Sequence, residues 1–112
     1  MLKSKIDLLR KNGYLFKKIE PIDLKNINVK KKVDILKCID EKDFFNFIIF
    51  VSGKSRFLQK NSDEIEEIYR KTVEFCGHNF KYKKIFIKQP LCKKAKARLQ
   101  ENKWEINSYD FV

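Results

Sequence analysis

Residues Phe44 to Val51 read FFNFIIFV, an apolar run interrupted only by Asn46, and they lead straight into Ser52-Gly53-Lys54-Ser55. A run this short and this continuously apolar is a strand buried on both faces, which places it in the middle of a sheet. The Ser-Gly-Lys-Ser that follows marks a tight turn leaving that strand, with Lys54 and Arg56 exposed near its end.

Working outward, Arg56-Phe57-Leu58 has the composition of a third short strand. The next segment is helical. Asn61 or Ser62 serves as N-cap, Asp63 and Glu64 fall in the first turn where the helix dipole favours acids, and Ile65, Ile68, Tyr69, Thr72, Val73 and Cys76 recur at helical spacing before Gly77 stops the helix. Lys83 to Gln89, KKIFIKQ, reads as a strand, and Pro90 opens a further helix that buries Leu91, Cys92, Ala95 and Leu99. Trp104 to Val112 alternates as a closing strand. Upstream, Leu2, Ile6 and Leu9 set a short helix ending at Gly13, Tyr14-Leu15-Phe16 is extended, Pro21 to Asn28 is a loop, and Val29 to Asp40 is a strand. The expected architecture is a single α/β domain over residues 1–112, a mixed β-sheet flanked by helices in the order α-β-β-β-α-β-α-β. No repeat, low-complexity segment or linker divides the chain.

Charge is concentrated rather than spread. Between Lys81 and Lys103 nine basic residues face one acid, Glu101, which accounts for +8 of the net +11, whereas Lys60 to Cys76 carries a balance of −2. Apolar content of 43% with ten Phe excludes a disordered basic tail. A folded chain with this polarity attracts polyanions to one side, because cationic groups near phosphates release condensed counterions. Only four of the 26 basic residues are Arg, the residue preferred for bidentate phosphate and base contacts, so part of the Lys surplus is compositional.

Cys38, Cys76 and Cys92 are odd in number and widely spaced, with no Cys-x-x-Cys pair and a lone His78. This supports neither a zinc site nor a disulfide framework and fits reduced, mostly buried thiols, Cys92 included. The N-terminus lacks the apolar run of a signal peptide and no segment approaches a membrane span, so the expected compartment is the cytoplasm and no membrane partner is expected. Gly53-Lys54-Ser55 is not a P-loop, since position 48, where that motif needs a glycine, is Ile48.

The element order and three local patterns resemble the restriction-endonuclease-like PD-(D/E)XK superfamily. The patterns are the helix ending Leu8-Leu9-Arg10-Lys11-Asn12-Gly13-Tyr14, the strand Val33-Asp34-Ile35-Leu36, and the apolar strand ending Val51-Ser52-Gly53-Lys54-Ser55-Arg56. The resemblance implies Asp34 as the first metal-binding acid and Lys54 as the lysine that positions the attacking water. It puts a neutral Ser52 where the second acid belongs, and a hard cation binds a hydroxyl far less well than a carboxylate. In members whose acid has migrated to the following helix, the counterpart would be Glu64 or Glu67.

The reading that follows is a nuclease-like fold without catalysis and without a resident cofactor. It binds DNA or RNA through Lys54, Arg56, Lys81, Lys83, Lys84, Lys88, Lys93, Lys94, Lys96 and Arg98. One alternative is an active nuclease using Asp34, Lys54, Glu64 and a divalent metal such as Mg. Another is a protein-interaction module in which the acidic helix face of Asp63, Glu66, Glu67 and Glu74, or the basic end, meets another protein. The Lys81–Arg98 residues serve nucleic acid only if they share a face with Lys54 and Arg56.

Overall fold

A computed structural model of the protein describes residues 2–11, 13–29, 33–53 and 56–108. In chain order the elements are α1 (Leu2–Lys11), β1 (Phe16–Pro21), a 3-10 turn (Leu24–Ile27), β2 (Val33–Asp40), β3 (Phe45–Val51), α2 (Gln59–Cys76), β4 (Tyr82–Ile87), α3 (Lys93–Glu101) and β5 (Trp104–Ser108). The mixed α/β order read from the sequence is present. One five-stranded sheet runs β1-β2-β3-β4-β5, antiparallel from β1 to β3 and parallel from β3 to β5.

The FFNFIIFV run is β3, the middle strand, and its alternation divides the core in two. Phe47, Ile49 and Val51 turn to the side covered by α2 and α3, joining Val33, Ile35, Ile85, Ile87, Ile65, Leu99 and Trp104. Ile48 and Phe50 turn to the other side, joining Leu36, Cys38, Phe86 and Leu9 of α1. Parallel pairs need a crossover, which α2 and α3 supply, while the antiparallel β2–β3 pair needs only a turn. In that turn Asp40 Oδ1 accepts from the backbone N–H groups of Lys42 and Phe44, each at 3.0 Å. Gly13 ends α1 in the left-handed region at φ 83°, with Gly13 N donating to Arg10 O and Tyr14 N to Leu9 O, as its expected capping role requires.

Four boundaries differ from expectation for local physical reasons. β1 lies at Phe16–Pro21 rather than at Tyr14–Phe16, and Pro21 is tolerated as the last residue of an edge strand. The Arg56–Leu58 strand is reduced to one parallel bridge between Phe57 and Leu91. α2 starts at Gln59, two residues before the expected cap, because the Asn61 side chain accepts from Leu58 N at 2.8 Å; Asp63 and Glu64 therefore fall beyond the first turn. α3 starts at Lys93 because Leu91 is used in the bridge. Residues 30–32 of the expected second strand and 109–112 of the last lie outside the described residues. No described helix is long and apolar enough to cross a membrane.

Candidate nucleic-acid interface

At one end of the sheet β3 and β4 finish and β2 begins. In open α/β sheets the crevice beyond the carboxyl ends of parallel strands is where ligands bind. Lys88 N donates to Val51 O at 3.0 Å, Phe57 N to Pro90 O at 2.7 Å, and Cys92 N to Phe57 O at 3.0 Å. These bonds hold the loop after β3 against the loop after β4, so Ser52, Gly53 and Arg56 lie beside Lys88 and the first turn of α3, Lys93 and Lys94. Arg56, Lys88, Lys93 and Lys94 are all exposed. Both α2 and α3 start from these loops, and neither carries an acid in its first turn. Two helix N-termini therefore add their partial positive charge to the same end of the sheet.

The expected basic residues divide into groups. Lys54 lies outside the described residues. Lys96 is exposed on α3, one turn in from this end. Arg98 Nε stands 3.8 Å from Asp63 Oδ1 of α2, tying the two helices together. Lys81 immediately precedes β4, and Lys83 and Lys84 lie at its start, roughly 16 Å away at the ~3.3 Å rise of a strand residue. Lys81 Nζ sits 3.8 Å over the Phe44 ring. Lys83 turns towards α2, between the rings of Tyr69 (4.8 Å) and Trp104 (5.1 Å) and 3.9 Å from Glu66, whose carboxylate also accepts from Trp104 Nε1. Lys84 turns to the α1 side and is 6% exposed. Burial lowers the pKa of both Lys83 and Lys84, with Glu66 and Glu105 respectively opposing it. The Lys-rich stretch is therefore not one face: Lys84 is buried, Lys83 is half-buried, and only the second half reaches Arg56.

Asp34 is exposed near the start of β2, directly across from Phe50. Its neighbours Val33 and Ile35 point to the α2 side, so Asp34 points to the α1 side. Glu64 and Glu67 ride on α2, across the sheet. There Asn61 Nδ2 donates to Glu64 Oε1 at 3.0 Å, and Glu67 stands 4.0 Å from Arg70. Ser52, in the place of the second acid, leaves β3 exposed beside Gly53. Among the described residues no three of His, Cys, Asp or Glu stand together as metal ligands.

Cys92 packs against the core, as expected, but is only partly buried and is the N-cap residue of α3 rather than a residue within it. The backbone N–H groups of Ala95 and Lys94 draw its pKa down, opposed by desolvation and aided by Arg56. Cys38 fits the buried reading, its pKa pushed up to about 12 by desolvation. His78 stacks on Phe45 at a centroid distance of 4.0 Å, at the opposite end of the sheet from Arg56.

Sequence reading missed a polar cluster at that opposite end, on the α1 side, where Lys84 Nζ donates to Asn46 Oδ1 at 2.7 Å and Asn46 Nδ2 donates to Asp40 Oδ2 at 3.3 Å. Its signal was present: Asn46 is the one polar residue in FFNFIIFV, and it lies beside a strand that carries the consecutive lysines Lys83 and Lys84.

The mixed α/β fold has counterparts among solved structures. It is similar to the solved structure of EndoMS in apo form, with a TM-score of 0.61 at 10% identity over 98% of this chain. It is also similar to a repair endonuclease from Pyrococcus abyssi, with a TM-score of 0.57 at 13% identity over 98%, and to EndoMS in a complex with double-stranded DNA, with a TM-score of 0.51 at 11% identity over 95%. The chain spans less than half the length of these proteins, 46%, 47% and 43% respectively. No protein-family model matches the sequence, and no curated protein matches it.

Proposed function

We propose that this chain is a nucleic-acid-binding domain of the PD-(D/E)XK type that holds a phosphate backbone without cutting it. The observation that carries this reading is the grouping of Arg56, Lys88, Lys93 and Lys94 around two acid-free helix N-termini at the carboxyl ends of β3 and β4. Lys54, between Gly53 and Arg56 in sequence, is taken as a fifth phosphate contact. DNA is the first polymer to test, since one neighbour of this fold was solved as a complex with double-stranded DNA. Ser52 in the acid position and the placement of Asp34 and Glu64 across the sheet from each other support binding without cleavage.

Five phosphate contacts imply a log–log salt slope of about −4 to −5, so raising salt from roughly 50 to 200 mM should lower affinity about 500-fold. Fluorescence anisotropy with duplex DNA and with RNA measures this. Reversing Lys93 and Lys94 to Glu should abolish binding, while Lys81→Glu, at the far end of β4, should leave it within about twofold. Equal losses from both variants would show that net charge alone drives the interaction. Metal-dependent cleavage that disappears in Asp34→Ala would replace this reading with the nuclease one.

A further inference from the structure

The polar cluster at the other end of the sheet borders an open surface cavity of about 440 Å³ lined by residues that include Tyr14, Phe16, Asp40, Tyr82, Lys84 and Glu105. Lys84 is its most unusual member, an ammonium with only 6% of the residue exposed on an inner strand. Lysine is almost never buried this far without partners. Asn46 Oδ1 takes one of its three N–H donors at 2.7 Å, and Glu105 Oε2 stands 3.7 Å away. The rings of Tyr14 and Tyr82 lie 5.0 and 4.9 Å from the nitrogen. Burial and the Glu105 hydrogen bond push the Tyr14 phenol up to about 12, so it stays neutral and polar at the wall.

The rim exposes apolar surface. Leu15 is 62% and Tyr82 42% exposed, two of the four exposed large hydrophobics among the described residues, and both border this cavity. An aromatic, partly apolar recess with one deeply held hydrogen-bond donor is the form of a small-molecule site. The rim charges decide between ligand types. Asp40, Glu41 and Glu105 outnumber Lys42 and Lys84, which disfavours a second anion and favours a neutral acceptor. The cavity also lies at the opposite end of β3 and β4 from Arg56 and Lys93, away from any backbone held there.

We propose that this cavity binds a free, uncharged planar ring bearing a carbonyl, a nucleobase or nucleoside being the simplest case, with the carbonyl accepting from Lys84 and the ring packed against Tyr14 and Tyr82. The inference stands whether or not the basic end binds nucleic acid.

The test is titration of the ¹⁵N-labelled full chain, followed by amide shifts, with uridine, benzoate, benzyl alcohol and a thymidine tetranucleotide as probes. Uridine should give saturable shifts at Tyr14, Asn46, Tyr82 and Lys84, with affinity about tenfold or more above benzyl alcohol, the value of one charge-assisted hydrogen bond. Tyr82→Ala, at an exposed position, should weaken uridine about fivefold without loss of fold. Lys84→Met should remove the uridine preference over benzyl alcohol, and Tyr82→Ala keeps the test decisive if Lys84→Met does not fold. Four results would overturn the proposal: no saturation below about 10 mM, equal binding of benzyl alcohol, tighter binding of benzoate, or tighter binding of the tetranucleotide at these same amides.

Discussion

Phe57 and Leu91 are joined in an isolated parallel bridge outside the named strands. Phe57 N donates to Pro90 O and Cys92 N donates back to Phe57 O. That clasp couples core packing to the basic loops, because Phe57 is 1% exposed. Phe57→Ala should therefore cost about 3–5 kcal/mol of stability. Phe57→Leu, which keeps most of the volume, should cost less than ~1.5 kcal/mol. Urea denaturation of the two variants checks this, and similar losses would mean the side chain does not pack as described.

Arg56 and Lys81 form a matched pair for separating site contacts from background charge, one at each end of the parallel strands. Arg56→Ala should flatten the salt slope of DNA binding by about one unit, as the loss of one phosphate contact does. Lys81→Ala should leave the slope unchanged. Anisotropy titrations at four or more salt concentrations would read both values, and a slope altered by Lys81→Ala alone would move the interface to the other end.

The three thiols should react in a fixed order. Cys92 has a pKa below its ordinary 9.0, drawn down by the N–H groups at the start of α3, whereas desolvation raises Cys76 and drives Cys38 to about 12. Near neutral pH, iodoacetamide should label Cys92 first and Cys38 only on unfolding, since the thiolate is the reacting species. The Cys92 rate should rise at lower pH than that of a free cysteine peptide. Peptide mapping of partial labelling over a pH series measures both effects.

Acid should weaken the β2–β3 turn. The N–H of Phe44 is the first cause holding Asp40 below its ordinary 3.8, with Asn46, Lys42 and Lys84 adding to it against desolvation. A folded-state pKa below the unfolded one means the unfolded chain binds more protons in that interval. The Asp40 contribution is thus complete above the unfolded pKa and is lost as pH falls through the folded one. Asp40→Asn should flatten the stability–pH curve between about pH 5 and 2. An unchanged curve would remove Asp40 from the acid response.

Lys84 and Asn46 should show strong coupling. Lys84→Met removes the donor to Asn46 Oδ1 in a residue that is 1% exposed, and an unsatisfied buried acceptor costs about 1–3 kcal/mol. Asn46→Leu combined with Lys84→Met should lose less than the sum of the two single changes. A double-mutant cycle in urea reads the coupling, and additive losses would mean the two side chains act independently.

The central strand, the element order, and Gly13 and Gly77 as helix stops were legible because each rests on local chemistry: continuous apolarity, periodicity and a left-handed residue. The basic stretch was less so, since lysines consecutive in sequence point to opposite sides of a strand. Lys83 faces Glu66 and Lys84 faces Asn46, and lysine composition alone reads as surface. Recognising that KKIFIK pairs with the central strand would have implied buried, partnered lysines. The start of α2 was misplaced because Asn61, an apparent cap, instead accepts from Leu58 N within the first turn. Asp34 and Glu64 fall on different sides of the sheet, a separation that depends on strand parity and helix placement together.

β3 joins two halves of different construction. On one side β1 and β2 pair antiparallel across the 11 residues 22–32 and β2 and β3 across a tight turn; on the other, β4 and β5 add in parallel only after α2 and α3 have been traversed. Closing those longer loops costs more chain entropy before any contact rewards it. Folding should therefore proceed from a β1–β3 meander onto which the parallel half condenses late. The basic loops that carry Arg56 and Lys88, which come together only once β4 lies against β3, would then be the last part of the molecule to acquire its shape.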